Sequence, residues 1–266
     1  MSTAEKGACV TPTESFVEIA GGKVQMLRAG NGRPLFVLHH DVGNPGWLPF
    51  YDALAGNFAV QVPSHPGFGK SERPEWMRTV RDMAMLYQSL LQKLSIGPIT
   101  MVGLGFGGWI AAEMAMMCHH GFSHMVIVNS LGFQPQQGEI LDQFLINTID
   151  YVRSGFENQD KNVELYTAEP TLDQLEQWEI NREMTSRIAY KPSMYDQTLP
   201  QLIRGVSVPT LIIWGAQNRI VPPICGEQYH EAIAGARLET ISGAGHFLEV
   251  EKPAELAKLV REFASP

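Results

Sequence analysis

Residues 99–115 of this chain, ITMVGLGFGGWIAAEMA, combine an apolar strand, a tight turn and a helix in immediate succession. Four glycines, at positions 103, 105, 107 and 108, suit a sharp turn after which the helix packs close to the strand. The helix predicted over residues 106–117 is apolar on nearly all sides, as a helix packed centrally on a sheet would be. The stretch therefore predicts the centre of an α/β domain.

The same succession of a short apolar run and a polar, glycine-containing loop recurs on both sides of this stretch. The runs are PLFVLHH (34–40), FAVQVP (58–63), HMVIVN (124–129), PTLIIWG (209–215) and RLETIS (237–242). Apolar runs of this length are typical of strands buried on both faces of a parallel sheet. The runs SFVEIA (15–20) and KVQMLRA (23–29), separated by Gly21-Gly22, predict an antiparallel hairpin at the N-terminus.

Helical patterns lie between the apolar runs, with apolar residues spaced by three and four. They cover residues 80–94, 225–233 and 254–263, the last with Pro253 near its start. Strands that alternate with helices predict a mostly parallel, doubly wound sheet.

One region, residues 133–205, interrupts this alternation with helical and loop-like sequence only. It includes ILDQFLINTIDYV (140–152) and TLDQLEQWEINREMTSRIAY (171–190). We expect it to form a helical cap over the carboxyl edge of the sheet, where open α/β folds bind ligands. The predicted organisation is a tail over residues 1–14, a core over 15–132 and 206–266, and a cap insertion over 133–205.

Five motifs in chain order carry a resemblance to a known family. They are HDVGNPGW (40–47), HPGFGKS (65–71), the elbow GLGFGG (103–108), WGAQNRIVPP (214–223) and GAGHFLEVEKP (243–253). In this order and with these intervening lengths, the chain resembles the α/β-hydrolase superfamily over residues 15–264, particularly its small bacterial members with a cap. The resemblance implies an α/β-hydrolase fold and a catalytic site at the loops that carry these motifs.

The chain departs from the pattern of that family at the residues that carry the chemistry. Gly105 stands at the nucleophile position of the G-x-S-x-G elbow, and Asn218 stands where the family has its acid. The base position is His246, which is retained. The oxyanion loop, usually His-Gly, reads His40-Asp41, so that a side chain replaces a hydrogen near the expected oxyanion hole. Ser64 stands where the family often has Asp.

These departures make ordinary ester hydrolysis through an acyl-enzyme improbable. Glycine offers no nucleophile, and the elbow contains no other Ser, Cys or Asp. Asparagine can hydrogen-bond a histidine but stabilises the wrong tautomer and carries no charge. Loss of the nucleophile from such triads removes about six orders of magnitude in rate.

Two interpretations stay open for each polar residue of the predicted site. His246 is either a general base or a relic with a structural hydrogen bond. Asp41 is either a replacement acid or nucleophile, or a loop residue that caps a turn. His39, His40, Asp41, His65 and His246 all follow strand ends and offer metal-ligand chemistry. Because adjacent histidines point to opposite faces of an extended chain, they cannot all converge, and we expect neither a metal nor a cofactor.

An apolar pocket beneath the cap is predicted from a set of aromatic and methionine residues. The set is Trp47, Phe106, Trp109, Phe133, Phe144, Trp178, Met184, Tyr190 and Met194. Of these, Trp47, Phe106, Trp178, Tyr190 and Phe144 join His40 and Asp41 as predicted substrate-binding or oxyanion residues, although ordinary core packing explains much of the set. Cys225 is expected to be an inert helix residue. Glu249 and Glu251 are expected to form a solvated face.

Composition limits the class of partner. The chain of 266 residues is 44% hydrophobic and 18% charged, which suits one α/β domain with an insertion. The net charge of −8 and the lack of a basic stripe argue against nucleic acid and anionic membranes. Three scattered cysteines, no signal peptide and no long apolar span favour a reducing cytoplasm. We expect a small apolar or aromatic ligand, with a homodimer as an open alternative.

Two functional hypotheses follow from these observations. The first is an enzyme of altered mechanism (a lyase, cyclase, isomerase or cofactor-free oxygenation catalyst) in which His246 moves a proton on a small carbonyl compound. Asn218 would orient His246, and Gly105 would leave room for substrate near the Phe106 backbone N–H. The second is a non-catalytic ligand-binding or regulatory protein that keeps the pocket. Engineering of positions 105 and 218 in a true hydrolase is a minor alternative.

Overall fold

The computed structural model describes residues 11–159 and 170–265; the tail up to residue 10, including Cys9, lies outside the described residues. The strands are β1 Thr13–Ile19, β2 Gly22–Ala29, β3 Arg33–Leu38, β4 Phe58–Pro63, β5 Ile99–Leu104, β6 Phe122–Val128, β7 Thr210–Gly215 and β8 Arg237–Ile241. The helices are α1 Pro49–Ala55, α2 Val80–Leu94, α3 Phe106–Met117, α4 Thr148–Ser154, α5 Leu172–Ala189, α6 Leu199–Leu202, α7 Ile224–Ala232, α8 Leu248–Glu251 and α9 Pro253–Ala264.

The strands form one sheet in the order β1-β2-β4-β3-β5-β6-β7-β8. β1 pairs with β2 and β2 pairs with β4 in antiparallel register, whereas every other neighbouring pair is parallel. The predicted hairpin and the predicted mostly parallel sheet are therefore confirmed. Parallel pairing brings the carboxyl ends of β4, β3, β5, β6, β7 and β8 to one edge of the sheet.

Local sequence explains where the main helices begin and end. Thr79 caps α2: its hydroxyl accepts a hydrogen bond from the Asp82 backbone N–H at 3.0 Å, and the Asp82 carboxylate accepts one from the Thr79 N–H at 2.9 Å. Ser95 in the left-handed conformation ends the same helix. α3 packs so closely on the sheet that a Cβ atom at Gly107 would overlap the Leu38 carbonyl of β3, and one at Gly103 of β5 would overlap the Gly107 carbonyl. This close approach explains the glycines of the central stretch.

Apolar side chains fill both faces of the sheet. One buried cluster joins the sheet to α2, α3, α5 and α7, and includes Phe106 and Trp178. The other joins the opposite face to α1, α8 and α9, and includes Tyr51 and Leu256. A sheet covered on both faces has buried strands, and every residue of β5 is buried.

The segment between β6 and β7 carries α4, α5 and α6 and covers the carboxyl edge of the sheet. The helix predicted over residues 171–190 is found as α5, with Thr171 accepting a hydrogen bond from the Gln174 N–H as its N-cap. In residues 140–152, which the sequence analysis describes only as helical or loop-like, α4 begins at Thr148 and the first half is not helical. There the Asp142 side chain accepts from the Phe144 N–H at 2.8 Å, and this local turn competes with helix formation until Asn147 caps α4.

Within residues 11–159 and 170–265, no helix combines the length and the apolar character needed to cross a membrane.

Candidate active site

The elbow between β5 and α3 keeps its backbone geometry although it lacks a side chain. Gly105 has φ +52° and ψ −109°, a conformation that glycine adopts without the strain of a Cβ atom. It sits directly before α3, so the Phe106 N–H is the first of the helical N–H groups that have no partner within the helix. The Phe106 ring itself is fully buried in the core, edge-on to His65 and Trp109. Only the backbone of Phe106 can therefore serve the site.

His40 occupies the space that a nucleophile side chain would need. A Cβ atom at Gly105 would overlap His40 Nδ1, would lie 2.8 Å from His40 Cε1 and would be 3.0 Å from His246 Nε2. The glycine at position 105 is therefore a steric requirement of the His40 ring as well as the loss of a nucleophile. At the nucleophile position the obstructing side chain is thus His40, while the sequence-based expectation for Asp41 concerned the oxyanion hole.

His40 and His246 form the centre of a chain of four polar side chains. His40 Nδ1 lies 3.2 Å from His246 Nε2, and the rings meet edge to face with centroids 4.7 Å apart. On one side, His40 Nε2 lies 3.2 Å from Glu249 Oε2. On the other, His246 Nδ1 lies 3.2 Å from Asn218 Nδ2. The chain runs Glu249, His40, His246, Asn218.

The hydrogen-bonded chain of these four side chains is shielded from water. His246 is fully buried, Glu249 and His40 are about as buried, and Asn218 is 7% exposed. Burial, and secondarily the positive charge that His40 can carry, hold the pKa of His246 well below its ordinary value. His246 is therefore neutral at physiological pH. A neutral imidazole carries one N–H donor and one acceptor, which gives the chain a direction.

Asp41 faces the cap instead of capping a turn. The Gln143 side-chain N–H, from the segment before α4, donates to Asp41 Oδ2 at 2.9 Å. Tyr151 of α4 also interacts with the carboxyl group. Burial raises the pKa of Asp41, and the charge of His40 and the hydrogen bonds from Tyr151 and Gln143 oppose this shift. Asp41 therefore links the oxyanion loop to the cap.

His39 and His65 form a second histidine pair, and its direct hydrogen bond to the first pair runs from the His39 ring to the His40 backbone carbonyl. Their ring centroids are 3.7 Å apart. His39 Nδ1 donates to its neighbour's carbonyl oxygen at 2.7 Å, and His39 Nε2 accepts from the His65 backbone N–H at 2.8 Å. His65 Nε2 donates to the His39 carbonyl oxygen at 2.9 Å, and its Nδ1 accepts from Tyr87. Every ring nitrogen of this pair is used to hold the loops together.

Donor atoms of His40, Asp41 and His246 lie within 4.8 Å of one another, which is close enough for a shared cation. The surroundings of His246 do not suit that role. Coordination through Nε2 would leave the proton on Nδ1, opposite the Asn218 amide N–H₂, so that two donors would face each other. The donor set therefore does not fit a metal ion.

Sequence reasoning missed the site roles of three residues, Glu249, Asn129 and Gln143, and it also placed Glu251 on a solvated face. Glu249 was expected on a solvated face, and that expectation is wrong because α8 turns its carboxylate inward onto His40. Glu251 is partly buried and accepts hydrogen bonds from the Gly245 and Glu157 N–H groups. Asn129, after β6, donates to the Gly245 and His246 carbonyl oxygens and positions the histidine loop. Gln143 is the third, and a polar residue at a strand or turn end was the only available signal.

The structure gives the positions of the other residues of the predicted pocket, none of which contacts the His40–His246 pair in the hydrogen bonds and ring contacts of the described residues. Trp47 packs beside Tyr51 on the α1 side of the sheet and donates to Asp52 at 2.7 Å. Phe144 and Tyr190 meet edge to face at 5.1 Å in the cap, where Tyr190 is 42% exposed. Trp178 is a residue of α5 and is buried in the first core cluster.

Two further residues have structural roles. The Ser64 hydroxyl donates to Gln25 at 2.6 Å and takes no part in the histidine chain. Cys225 is buried in α7, and burial raises the pKa of its thiol to about 12, which disfavours the reactive thiolate. Four surface cavities of about 280 to 500 Å³ are lined by residues other than Glu249, His40, His246 and Asn218, and Trp109 of the predicted pocket lines one of them.

Comparison with known proteins agrees with this fold. A sequence model of the Alpha/beta hydrolase family matches residues 36–259, and the chain belongs to that family. It is 25% identical to a 2-hydroxy-6-oxo-6-(2'-aminophenyl)hexa-2,4-dienoic acid hydrolase of Metapseudomonas resinovorans, over 95% of this chain and 91% of the relative. It is 24% identical to a cis-3-alkyl-4-alkyloxetan-2-one decarboxylase of Shewanella oneidensis, over 93% of this chain and 87% of the relative.

A solved structure of a meta-cleavage product hydrolase superposes with a TM-score of 0.78 at 21% identity, covering 94% of this chain and 97% of that protein. At this identity the likeness establishes the fold, an α/β-hydrolase fold with an antiparallel N-terminal hairpin. The homologues thus include both hydrolases and a decarboxylase. Activity has to be argued from the residues of the site.

Proposed function

We propose that this protein is an enzyme that transfers a proton on a small apolar or aromatic carbonyl compound without forming an acyl-enzyme. One observation carries the proposal: the His40 ring fills the nucleophile position and is hydrogen-bonded to His246 at 3.2 Å. Lyase, isomerase, cyclase and cofactor-free oxygenation reactions all use such proton transfer. His246 touches the reacting group, Asn218 orients it, and the Phe106 N–H binds a developing negative oxygen.

The relatives support a carbonyl substrate. One relative is named as a hydrolase of a 6-oxo dienoic acid, and the other is named as a decarboxylase of an oxetan-2-one. Both compounds carry a carbonyl group. A buried site with paired imidazoles suits such a group, because N–H donors act more strongly on a carbonyl oxygen where water is excluded.

A ligand-binding protein without catalysis is the second candidate, and the burial of the site favours it. His40, Asp41 and His246 are each at most 2% exposed, and Gln143 and Tyr151 of the cap segment contact Asp41. An enzyme must open the cap over these residues in each turnover, whereas a binding protein needs to open the cap only once. For either candidate we propose a cytoplasmic location, since the scattered cysteines do not suit a disulfide framework.

The experiment is a turnover screen of small aromatic ketones, lactones and oxo-dienoic acids, with p-nitrophenyl acetate and a fluorophosphonate as probes of acyl-enzyme formation. We expect turnover of a carbonyl compound without labelling, and a loss of at least a hundredfold in His246→Gln. The exposed His230→Gln is the matched control. Stoichiometric labelling, or ester turnover above about 1 per second, would contradict the proposal. A tight ligand without turnover would establish the binding protein.

A further inference from the structure

The Asn218 side chain fixes the position of the proton on His246. Asn218 Oδ1 accepts hydrogen bonds from the Ile220 and Val221 N–H groups, both at 3.0 Å, so the amide nitrogen must face His246. An amide nitrogen only donates, and it lies 3.2 Å from His246 Nδ1. Nδ1 is therefore the acceptor, and neutral His246 carries its proton on Nε2. An aspartate at position 218 would impose the opposite tautomer.

The donor-to-acceptor direction of these hydrogen bonds continues from His246 through His40 to Glu249. Because His246 Nε2 carries a proton, it donates to His40 Nδ1, which then holds a lone pair. The His40 proton is on Nε2 and is donated to the Glu249 carboxylate at 3.2 Å. In the three hydrogen bonds that link Asn218, His246, His40 and Glu249, each donor faces one acceptor. The free base of the site is thus His40 Nδ1, and the side chain that stabilises a protonated His40 is Glu249.

This arrangement reverses the roles that the sequence assigns. Sequence reasoning makes His246 the proton acceptor, but His246 offers an N–H to the site. A neutral imidazole N–H is a known electrophile toward carbonyl oxygens, and a carboxylate beside an imidazole favours its protonated form. The base lies over Gly105, where the reacting atom of a substrate would meet the Phe106 N–H.

We propose, on the basis of the function proposed above, that Glu249 and His40 form an acid–base dyad that enolises a small ketone. The substrate carbonyl oxygen takes the hydrogen bond from His246 Nε2–H, which frees His40 Nδ1. His40 Nδ1 removes a proton from the carbon next to the carbonyl group. The electron pair of that C–H bond forms the C=C bond of the enolate, and the carbonyl π pair moves to oxygen. His40 then returns a proton to carbon or to oxygen.

Exchange of α-hydrogens for deuterium tests this step without knowledge of the natural substrate. We incubate the protein in D₂O with 1-phenylpropan-2-one or 1-phenylbutane-1,3-dione and follow the α-proton signal by NMR. We expect exchange by the wild type, and a loss of at least a hundredfold in His40→Gln and in Glu249→Gln. His230→Gln serves as the exposed control. Exchange with neither ketone would overturn the dyad for enolisable ketones, as would wild-type rates in both variants.

Imidazole ¹⁵N NMR provides a second readout that does not depend on activity. We expect the proton of His246 on Nε2 in the wild type and on Nδ1 in Asn218→Asp, and a change of the His40 Nε2–H signal in Glu249→Gln. A wild-type His246 protonated on Nδ1 would overturn the dyad even if the protein is active. Turnover of a screened substrate that requires His246 but neither His40 nor Glu249 would leave the proposed function intact and remove this inference.

Discussion

His39 and His40 are neighbours in the chain, yet they belong to two histidine pairs with opposite designs. In the His39–His65 pair, three of the four ring nitrogens bind backbone groups and the fourth binds Tyr87. In the His40–His246 pair, every ring nitrogen binds another side chain. Backbone partners keep a tautomer fixed because the main chain neither titrates nor rotates. Side-chain partners can exchange a proton, so only the second pair is suited to chemistry.

The largest effect we expect is the recovery of a serine hydrolase once the His40 ring is removed. Gly105→Ser with Asn218→Asp alone should stay inactive, because the new Cβ meets His40. Adding His40→Ala and Glu249→Gln should raise p-nitrophenyl acetate turnover at least a hundredfold over that double variant and allow fluorophosphonate labelling. Adding Asp41→Gly to the double variant, in place of His40→Ala and Glu249→Gln, should restore neither turnover nor labelling. Activity in the double variant would show that His40 does not block the elbow.

Acid should destabilise the protein steeply, through both pairs. The pKa of His39 is lowered by burial to about 3, and burial lowers those of His65 and His246 as well. The unfolded chain therefore binds more protons below about pH 6.5, and stability present above that pH is lost as the pH falls toward the folded values. With three more protons bound by the unfolded chain than by the folded protein, the free energy of unfolding falls by about 4 kcal/mol for each unit by which the pH is lowered.

Urea unfolding between about pH 6 and pH 5 measures this slope. The raised pKa of Asp41 opposes it by at most one proton, because the folded state then binds that proton first. His246→Gln and His65→Gln should each lower the slope by about 1.4 kcal/mol per pH unit. An unchanged slope in both variants would mean that these histidines are protonated in the folded protein.

The two pairs should differ in how they respond to removal of a ring. His40→Ala should cost about 3–5 kcal/mol in the free energy of unfolding, because the buried Glu249 loses its partner. Glu249→Gln should recover part of that loss in the double variant. His65→Ala should cost about 1–3 kcal/mol for each unsatisfied partner, with no recovery from Glu249→Gln. Equal recovery in both backgrounds, in urea titrations, would contradict the distinction between the pairs.

The smallest effect concerns the link between the active pair and the cap. Gln143→Leu removes the hydrogen bond to Asp41 and should cost about 1 kcal/mol. Amide hydrogen exchange should become faster in α4 and α5 and stay unchanged in α2. Gln201→Leu, at an exposed position of α6, is the control. Unchanged protection of α4 and α5 would show that Asp41 does not help to hold the cap closed.

The sequence by itself determined the sheet, the central elbow and the loss of the nucleophile. Apolar runs, glycines and helix caps act over a few neighbouring residues, so a linear pattern contains them: α2 and α3 have the predicted bounds. The same reasoning located Gly105, Asn218 and His246 at one edge, because carboxyl ends of parallel strands meet there.

Only the tertiary structure decided which histidine faces which partner. Glu249 follows His246 by three residues and looks like a solvent-facing charge, but the turn into α8 directs it onto His40, 209 residues away along the chain. The tautomer of His246 depends on two backbone N–H groups that hold Asn218. Side-chain direction and proton position are set by contacts between distant loops, and a local pattern carries no information about them.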